Sequence, residues 1–279
     1  MRLCFALSLI TLVAAAGGWA QPFLPANPDV INSNAATDTG DDSLLSLAID
    51  AQGIVHAVWS SNDPGFGTGN DDEIYYARSE GTGWTAPQQV NSAYAGIDGG
   101  AVDTTPRVAV GPDGTVHCVW VSLYGYKGAG NDQDVFYSRR CGSGWSDPEL
   151  VDSNYAVTYF SQDFNPAVTV GLDGTVHVTW SSDANVNLGG TIGPIGTDFD
   201  ILYSARTAVG WSSVTALNSE AGTDAAADDD GTPAMTTMED GTILAAWASK
   251  VATLTAGSNL GTDYDILYSI LPPGGSWTL

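Results

Sequence analysis

Pairs of acidic residues separated by one position recur four times in the sequence and are its strongest candidates for chemistry. Residues i and i+2 of a β-strand point to one side, so each pair would place two carboxylates together. Ca²⁺ takes six to eight oxygen ligands from carboxylates and loop carbonyls, so calcium is the candidate cofactor. The alternative is that the acids accept hydrogen bonds from loop amides in Asx-type turns. The candidate metal ligands are Asp71, Glu73, Asp132, Asp134, Asp198, Asp200, Asp263 and Asp265.

A second group of polar and aromatic residues could bind a ligand. Three aspartates precede short apolar segments, and one of them, Asp103, is followed by Arg107, which makes a candidate acid and base pair. Aromatic residues in the long connections could stack on a sugar, or equally could anchor the loops. No residue is assigned a catalytic role. The candidate ligand-binding residues are Arg107, Asp103, Asp163, Asp230, Tyr124, Tyr126 and Tyr159.

Three histidines, His56, His117 and His177, occupy equivalent positions of a repeated segment. A spacing of a whole repeat separates side chains and does not gather them around one metal ion. We therefore expect packed, hydrogen-bonded histidines and no histidine metal site.

The elements that must position these residues belong to a repeat of about 60 to 67 residues. Each copy has a short apolar segment, a turn with Gly, a second apolar strand, a strand that begins at the acidic pair, and a closing Gly-Trp or Ser-Trp segment. Such units are typical of four-stranded propeller blades. The Asp-Gly turns favour type I′ hairpins. The second strand of the four copies spans residues 54–59, 115–120, 175–180 and 242–247.

The fold class is therefore an all-β propeller of four-stranded antiparallel blades, with four repeats visible. The chain is either a four-bladed ring or part of a larger propeller. We expect a single domain over 21–279, with repeats at about 41–102, 103–162, 163–228 and 229–279. The segment 28–33 (PDVINS) matches 87–92 (PQQVNS), so we expect it to complete the last blade and protect its open edge.

Connections in such a blade alternate between two faces of the disc. The turns between the first and second strands and between the third and fourth strands are short and share one face, the short-turn face. The other connections are long and rich in Asp, Gly and Asn, as at 60–72, 91–103 and 218–230, and they form the long-loop face. Binding usually lies on loops held by a rigid scaffold, so the long-loop face is the expected functional face.

The closing segments carry a resemblance to a known family. Ser79 to Trp84, Ser138 to Trp145, Ser204 to Trp211 and Ser269 to Trp277 resemble the Asp-box repeats of sialidase-like (BNR-type) propellers, although the characteristic aspartate is missing. The resemblance implies the propeller fold, with the box remote from any catalytic face. Sialidase chemistry would need three converging arginines, and only Arg107 is placed to reach the centre.

Composition limits the partners. The net charge is −24, with 8 basic against 32 acidic residues, which excludes nucleic acid and anionic membranes as partners because both need clustered cations. Residues 1–20 are predicted to be an export signal, with a basic Arg2, an apolar run and a small-residue cleavage site. We expect a protein that is secreted, periplasmic or held at the cell surface. No Asn-x-Ser/Thr sequon occurs, which is compatible with a bacterial source.

Two functions remain. The first is an exported, non-catalytic recognition or scaffold propeller, expected to be a monomer, that binds a glycan or a protein through its long-loop face, with or without calcium. The alternative is a sialidase-like glycan-active enzyme, a hydrolase or a lyase. Cys118 and Cys141 are not expected to form a disulfide, because the repeat offsets them by about three residues, or ~10 Å along the strands.

Overall fold

The computed structural model describes residues 29–66, 71–81, 83–130, 132–151, 162–183, 198–218, 221, 229–251, 254, 257 and 259–278. The predicted export signal, Tyr159 and most of the loops 184–197 and 222–228 lie outside these residues. Among the described residues, no helix has the length and apolar character needed to cross a membrane.

The fold is all-β, as the repeat predicts, and consists of four antiparallel sheets arranged as propeller blades. Two three-residue 3₁₀ segments, Pro64–Phe66 and Tyr126–Gly128, interrupt the loops. Blade 1 contains β1 (Asp42–Ile49), β2 (Val55–Ser61), β3 (Glu73–Glu80), β4 (Gly83–Trp84) and β5 (Gln88–Gln89). Blade 2 contains β6 (Asp103–Val110), β7 (Val116–Ser122), β8 (Asp134–Cys141), β9 (Gly144–Trp145) and β10 (Glu149–Leu150).

The second half of the chain repeats this arrangement. Blade 3 contains β11 (Asp163–Val170), β12 (Val176–Ser182), β13 (Asp200–Thr207), β14 (Gly210–Trp211) and β15 (Thr215–Ala216). Blade 4 contains β16 (Asp230–Thr237), β17 (Ile243–Ser249) and β18 (Asp265–Leu271), and Thr278 N–H donates to the carbonyl oxygen of Ile270. The two short outer segments of blades 1 to 3 both pair with the third long strand.

Apolar side chains between successive blades form the core. Between blades 1 and 2, Val58, Ile74 and Tyr76 pack against Cys118 and Trp120. The tryptophan of the second strand faces the preceding blade each time, since Trp180 packs on blade 2 and Trp247 packs on blade 3. Period-2 alternation in each strand therefore supplies one face to each neighbouring blade.

Within the described part of the chain, the two end blades each leave one face without such a neighbour. Leu47 and Ile49 of β1 are 53% and 67% exposed, whereas Val108 at the equivalent place in β6 is buried. On blade 4, Ile266 and Tyr268 are 74% and 70% exposed. The alternation of apolar residues thus extends to the outer faces of blades 1 and 4, but among the described residues only the faces between successive blades are covered.

The segment 29–33 lies against blade 1. Ile31 packs beside Trp59 and Tyr75, and the Asn32 side-chain amide donates to the Asp42 carboxylate (2.6 Å). Asn91 makes the same contact with Asp103 at the next blade. The expectation that 28–33 completes the last blade stays a prediction.

The Asp-Gly turns have a different geometry from the predicted type I′ hairpin. Gly114 N–H donates to the Gly111 carbonyl, Gly114 has φ 79°, and Asp113 does not have a positive φ. The turn is therefore a type I turn followed by a left-handed glycine. The Asp113 carboxylate stabilises this form by accepting the backbone N–H (2.9 Å) and hydroxyl (2.8 Å) of Thr115.

A strained bulge opens every innermost strand at the long-loop face. The pairing register shifts near the start of β1, β6, β11 and β16, and a non-glycine residue with positive φ lies at each shift. Proline follows this residue at positions 106, 166 and 233. Proline has no backbone N–H, and a bulge tolerates it because the bulged residue donates no hydrogen bond to the neighbouring strand. The four residues with positive φ are Leu44 (56°), Thr105 (50°), Asn165 (49°) and Thr232 (50°).

Candidate functional site

The acids that begin the innermost strands lie at the blade junctions. The backbone N–H groups of Asp103, Asp163 and Asp230 donate to carbonyl oxygens at the head of the third strand in the preceding blade, at 2.8, 3.1 and 2.7 Å. Their side chains are only 0 to 3% exposed. These aspartates therefore join neighbouring blades through their backbone, and the ligand-binding role expected for Asp103, Asp163 and Asp230 stays a prediction.

An asparagine links the carboxylates at the junction of blades 1 and 2. The Asn91 amide donates to both Glu73 and Asp103, which are fully buried. Burial, reinforced by the nearby Asp103, raises the pKa of Glu73 to about 9. Burial also raises the pKa of Asp103 to about 7, although hydrogen bonds with Ser122, Tyr94 and Asn91 oppose the rise.

Blade 3 repeats this link. Asn218 donates to Asp200 (2.7 Å), and its side-chain oxygen accepts the backbone N–H of Ile201 (3.1 Å). At these two acidic pairs a carboxylate therefore accepts a hydrogen bond from the side-chain amide of an asparagine that follows the short outer strand. The choice between a metal ligand and an Asx-type turn stays a prediction.

The acidic pairs differ in their surroundings. Asp132, Asp134, Asp198 and Asp200 are buried, whereas Asp263 is exposed and Asp265 is half-buried. Among the described residues, a third carboxylate joins only the pair Asp71 and Glu73; it comes from Asp98 in the loop before β6. The four pairs thus lie at separate junctions, and only the first forms a larger cluster in the described part of the chain.

The predicted acid and base pair of Asp103 and Arg107 is not formed. Arg107 makes no ion pair among the described residues, and its Nη1 donates to the carbonyl oxygen of Pro106 (3.0 Å). The strand bulge lies between the two residues, so strand spacing does not bring their side chains together. Arg139 and Arg206 lie on the short-turn face beside Asp113 and Asp173.

The loop tyrosines Tyr124 and Tyr126 anchor the loop after β7. Both rings pack on buried Tyr94, with centroids 5.2 and 5.0 Å away, and the Tyr126 hydroxyl donates to Asp147 (2.9 Å). Lys127 fixes the same loop through an ion pair with Asp147 (2.7 Å). Of the two roles open for these rings, loop-anchoring is the one that these contacts support.

A cleft of about 370 Å³ opens on the long-loop face at the junction of blades 3 and 4. Its apolar wall has Phe164 and Phe199, whose ring centroids are 5.7 Å apart, together with Tyr264, which is 55% exposed. Lys250 Nζ lies 4.7 Å from the centroid of the Tyr264 ring. The polar lining residues are Asn165, Ser181, Asp229, Asp230 and Thr232.

Sequence reasoning missed this cleft, although a signal for it exists. Phe199 and Tyr264 are the middle residues of two acidic pairs, and Phe164 follows the aspartate that opens β11. In a strand head the middle residue points away from its two neighbours. Asp198 and Asp200 are therefore buried at the blade junction, while Phe199 between them lines the cleft.

No family model and no curated protein matches this chain. Solved structures do. The leech intramolecular trans-sialidase matches with a TM-score of 0.54 and 11% identity over 90% of this chain and 52% of its own. The Hadza microbial sialidase Hz136 matches with a TM-score of 0.50 and 15% identity over 85% of this chain and 46% of its own.

The intramolecular trans-sialidase from Ruminococcus gnavus gives a TM-score of 0.50 and 10% identity over 86% of this chain and 70% of its own. This chain thus spans about half the length of the leech and Hadza proteins. At these identities the likeness concerns the fold alone. The chain has a β-propeller fold similar to that of the sialidases.

Proposed function

We propose that this protein is an exported recognition propeller that binds a glycan in the cleft between blades 3 and 4. The observation that carries the proposal is the pairing of aromatic rings with polar groups in one cleft on the long-loop face. Sugar rings present apolar C–H faces and a rim of hydroxyl groups. Binding sites commonly combine an apolar wall with a few well-placed polar groups, as Phe164, Phe199 and Tyr264 do here with Asn165 and Ser181.

The fold supports the proposal without deciding it. The similar propellers are named as sialidases and trans-sialidases, which are proteins that act on glycans. One fold supports many functions, so the glycan must be argued from the cleft itself. The proposal also holds that the protein is exported and is a monomer, and these two points rest on the sequence.

The test is direct glycan binding by the full chain. The labelled protein is applied to an array of sialylated and neutral glycans, and hits are titrated by calorimetry. Tyr264→Ala should weaken binding at least tenfold, about 1.4 kcal/mol, because it removes the exposed ring. Tyr268→Ala is the matched control, since Tyr268 is also exposed but is not part of the cleft lining. Absence of binding, or equal binding by the Tyr264→Ala variant, would overturn the proposal.

Hydrolysis or eliminative cleavage of a glycan is the second candidate, because two acidic residues, Asp229 and Asp230, line the cleft. Most glycosidases use a pair of carboxyl groups at the scissile bond. A panel of fluorogenic glycosides distinguishes the candidates. Turnover that is lost in Asp229→Asn would replace the non-catalytic proposal, whereas binding without turnover would support it.

A further inference from the structure

A cluster of three carboxylates lies at the junction of blades 1 and 2, apart from the glycan cleft. Asp71 and Glu73 come from the head of β3, and Asp98 comes from the loop that leads to β6. One carboxylate oxygen from each residue lies within 4.8 Å of the other two. The cluster therefore joins a strand of blade 1 to the loop that enters blade 2.

The burial of Glu73 makes this cluster unlike an ordinary acidic surface. Its side chain is 0% exposed, and while Oε2 accepts the Asn91 amide, Oε1 has no hydrogen-bond partner. Asp71 Oδ2 and Asp98 Oδ2 are also buried and have no hydrogen-bond partner. A buried polar atom without a partner destabilises the folded state, and a charged group does so more strongly.

The surrounding charges add to that cost. Asp103, fully buried, shares Asn91 with Glu73, so four carboxylates are in one neighbourhood. The ion pairs of the described residues are all elsewhere, at His56, Arg78, Lys127 and Arg206. A bound cation would compensate these charges.

We propose that Asp71, Glu73 and Asp98 bind a calcium ion that pins the 91–102 loop to blade 1. The three carboxylate oxygens that lack hydrogen bonds are the first ligands, and the hard oxygen donors select calcium or magnesium over zinc, which prefers histidine and cysteine. Calcium takes more oxygens in a more flexible geometry than magnesium does, so it suits a site completed by loop groups and water. The site is independent of the proposed glycan cleft, which lies between blades 3 and 4.

The experiment uses the full chain after treatment with EDTA. Calcium binding is measured by titration calorimetry, and thermal unfolding is followed with and without CaCl₂ or MgCl₂. At about 100 times its Kd, a ligand of the folded state stabilises by about 2.7 kcal/mol, which should raise the Tm by roughly 5–10 °C for a domain of this size. Asp98→Asn, at a half-exposed position, should weaken calcium binding at least tenfold.

A second variant distinguishes a metal ligand from a structural acid. Glu73→Gln should abolish the calcium response, because a neutral amide replaces the carboxylate ligand, and its Tm in EDTA shows whether the variant is folded. Asp240→Asn, at an exposed turn on the opposite face, is the matched control and should keep the full response. If Glu73→Gln fails to fold, Asp98→Asn carries the test alone.

The proposal is overturned if calcium produces neither heat nor a rise in Tm in the unmodified protein. It is also overturned if Asp98→Asn responds to calcium as strongly as the Asp240→Asn control. Magnesium binding of equal affinity would refute the assignment to calcium.

Discussion

The Nδ1 atom of His117 lies 2.8 Å from the hydroxyl oxygen of Tyr137, with both side chains buried. His56 and His177 make the same contact with Tyr76 (2.8 Å) and Tyr203 (2.7 Å). The histidines are therefore packed and hydrogen-bonded, as their spacing predicts, and each repeat from 1 to 3 has one such pair. Blade 4 has Leu244 at the equivalent position, and its Tyr268 is exposed.

The first prediction concerns acid stability. Burial lowers the pKa of His117 to about 4, below its usual 6.5, so the unfolded chain binds the proton first. The stability that the neutral histidine contributes is present above pH 6.5 and is lost as the pH falls towards 4. Between pH 7 and pH 5 the free energy of unfolding should fall by about 2 kcal/mol less in His117→Leu than in the unmodified protein. Urea unfolding at the two pH values measures this, and parallel losses would contradict it.

The second prediction compares two equivalent tyrosines. Tyr203 is buried between His177 and Trp277, whereas Tyr268 lies on the outer face of blade 4. Tyr203→Ala should cost about 3–5 kcal/mol of unfolding free energy, as large-to-small core substitutions do. Tyr268→Ala should cost less than about 1 kcal/mol, because it leaves no cavity. Equal costs in urea unfolding would show that the outer face of blade 4 is covered in solution.

The third prediction concerns the ion pair between Arg206 and Glu149. Two guanidinium nitrogens contact the two carboxylate oxygens at 2.7 Å, and the guanidinium carbon lies 5.4 Å from the centroid of the Tyr137 ring. Arg206→Lys keeps the charge but loses the paired contact, so we expect a cost of about 1–2 kcal/mol. Arg78→Lys is the control, because its pair with Glu80 is exposed and should change stability by less than about 0.5 kcal/mol. Equal effects of the two substitutions would refute a structural role for the Arg206 pair.

The fourth prediction uses the bulge at the head of the innermost strands. Thr105 and Asn165 occupy equivalent positions with φ of 50° and 49°. Asparagine tolerates a left-handed backbone better than the β-branched threonine does. Thr105→Asn should therefore stabilise and Asn165→Thr should destabilise the protein, each by about 1 kcal/mol. Chemical denaturation measures both, and changes of the same sign would refute the prediction.

The fold could be predicted from the sequence because each repeat carries the same alternation of apolar residues, turns and acids. The innermost strands of the four blades begin at Asp42, Asp103, Asp163 and Asp230. The alignment of the closing segments is wrong in the first repeat. Ser79 pairs with Trp84 as Arg140 pairs with Trp145, so Ser79 is the equivalent of Arg140. The equivalent of Ser138 in the first repeat is Ala77.

The candidate site was harder to predict, because the sequence does not show which side chains a blade junction brings together. Asp98 joins Asp71 and Glu73 through a loop whose path no repeat pattern specifies. Asp103 and Arg107 were paired from strand spacing, but a bulge lies between them. The aromatic cleft depends on residues from two different blades, and periodicity within one repeat does not reveal such a meeting.

The exposed faces of the end blades imply an order of local opening. Each blade gains stability from its own strands and from its neighbours, so blades 2 and 3 are held on two sides and blades 1 and 4 on one. Amide hydrogens of β7 and β12 should then exchange with solvent only through global unfolding, while those of β1 and β18 should exchange through smaller fluctuations at the ends. The buried aspartates at the start of blades 2 and 3, Asp103 and Asp163, thus belong to the part of the molecule whose amide hydrogens exchange most slowly. The cleft between blades 3 and 4 borders blade 4, which should open early.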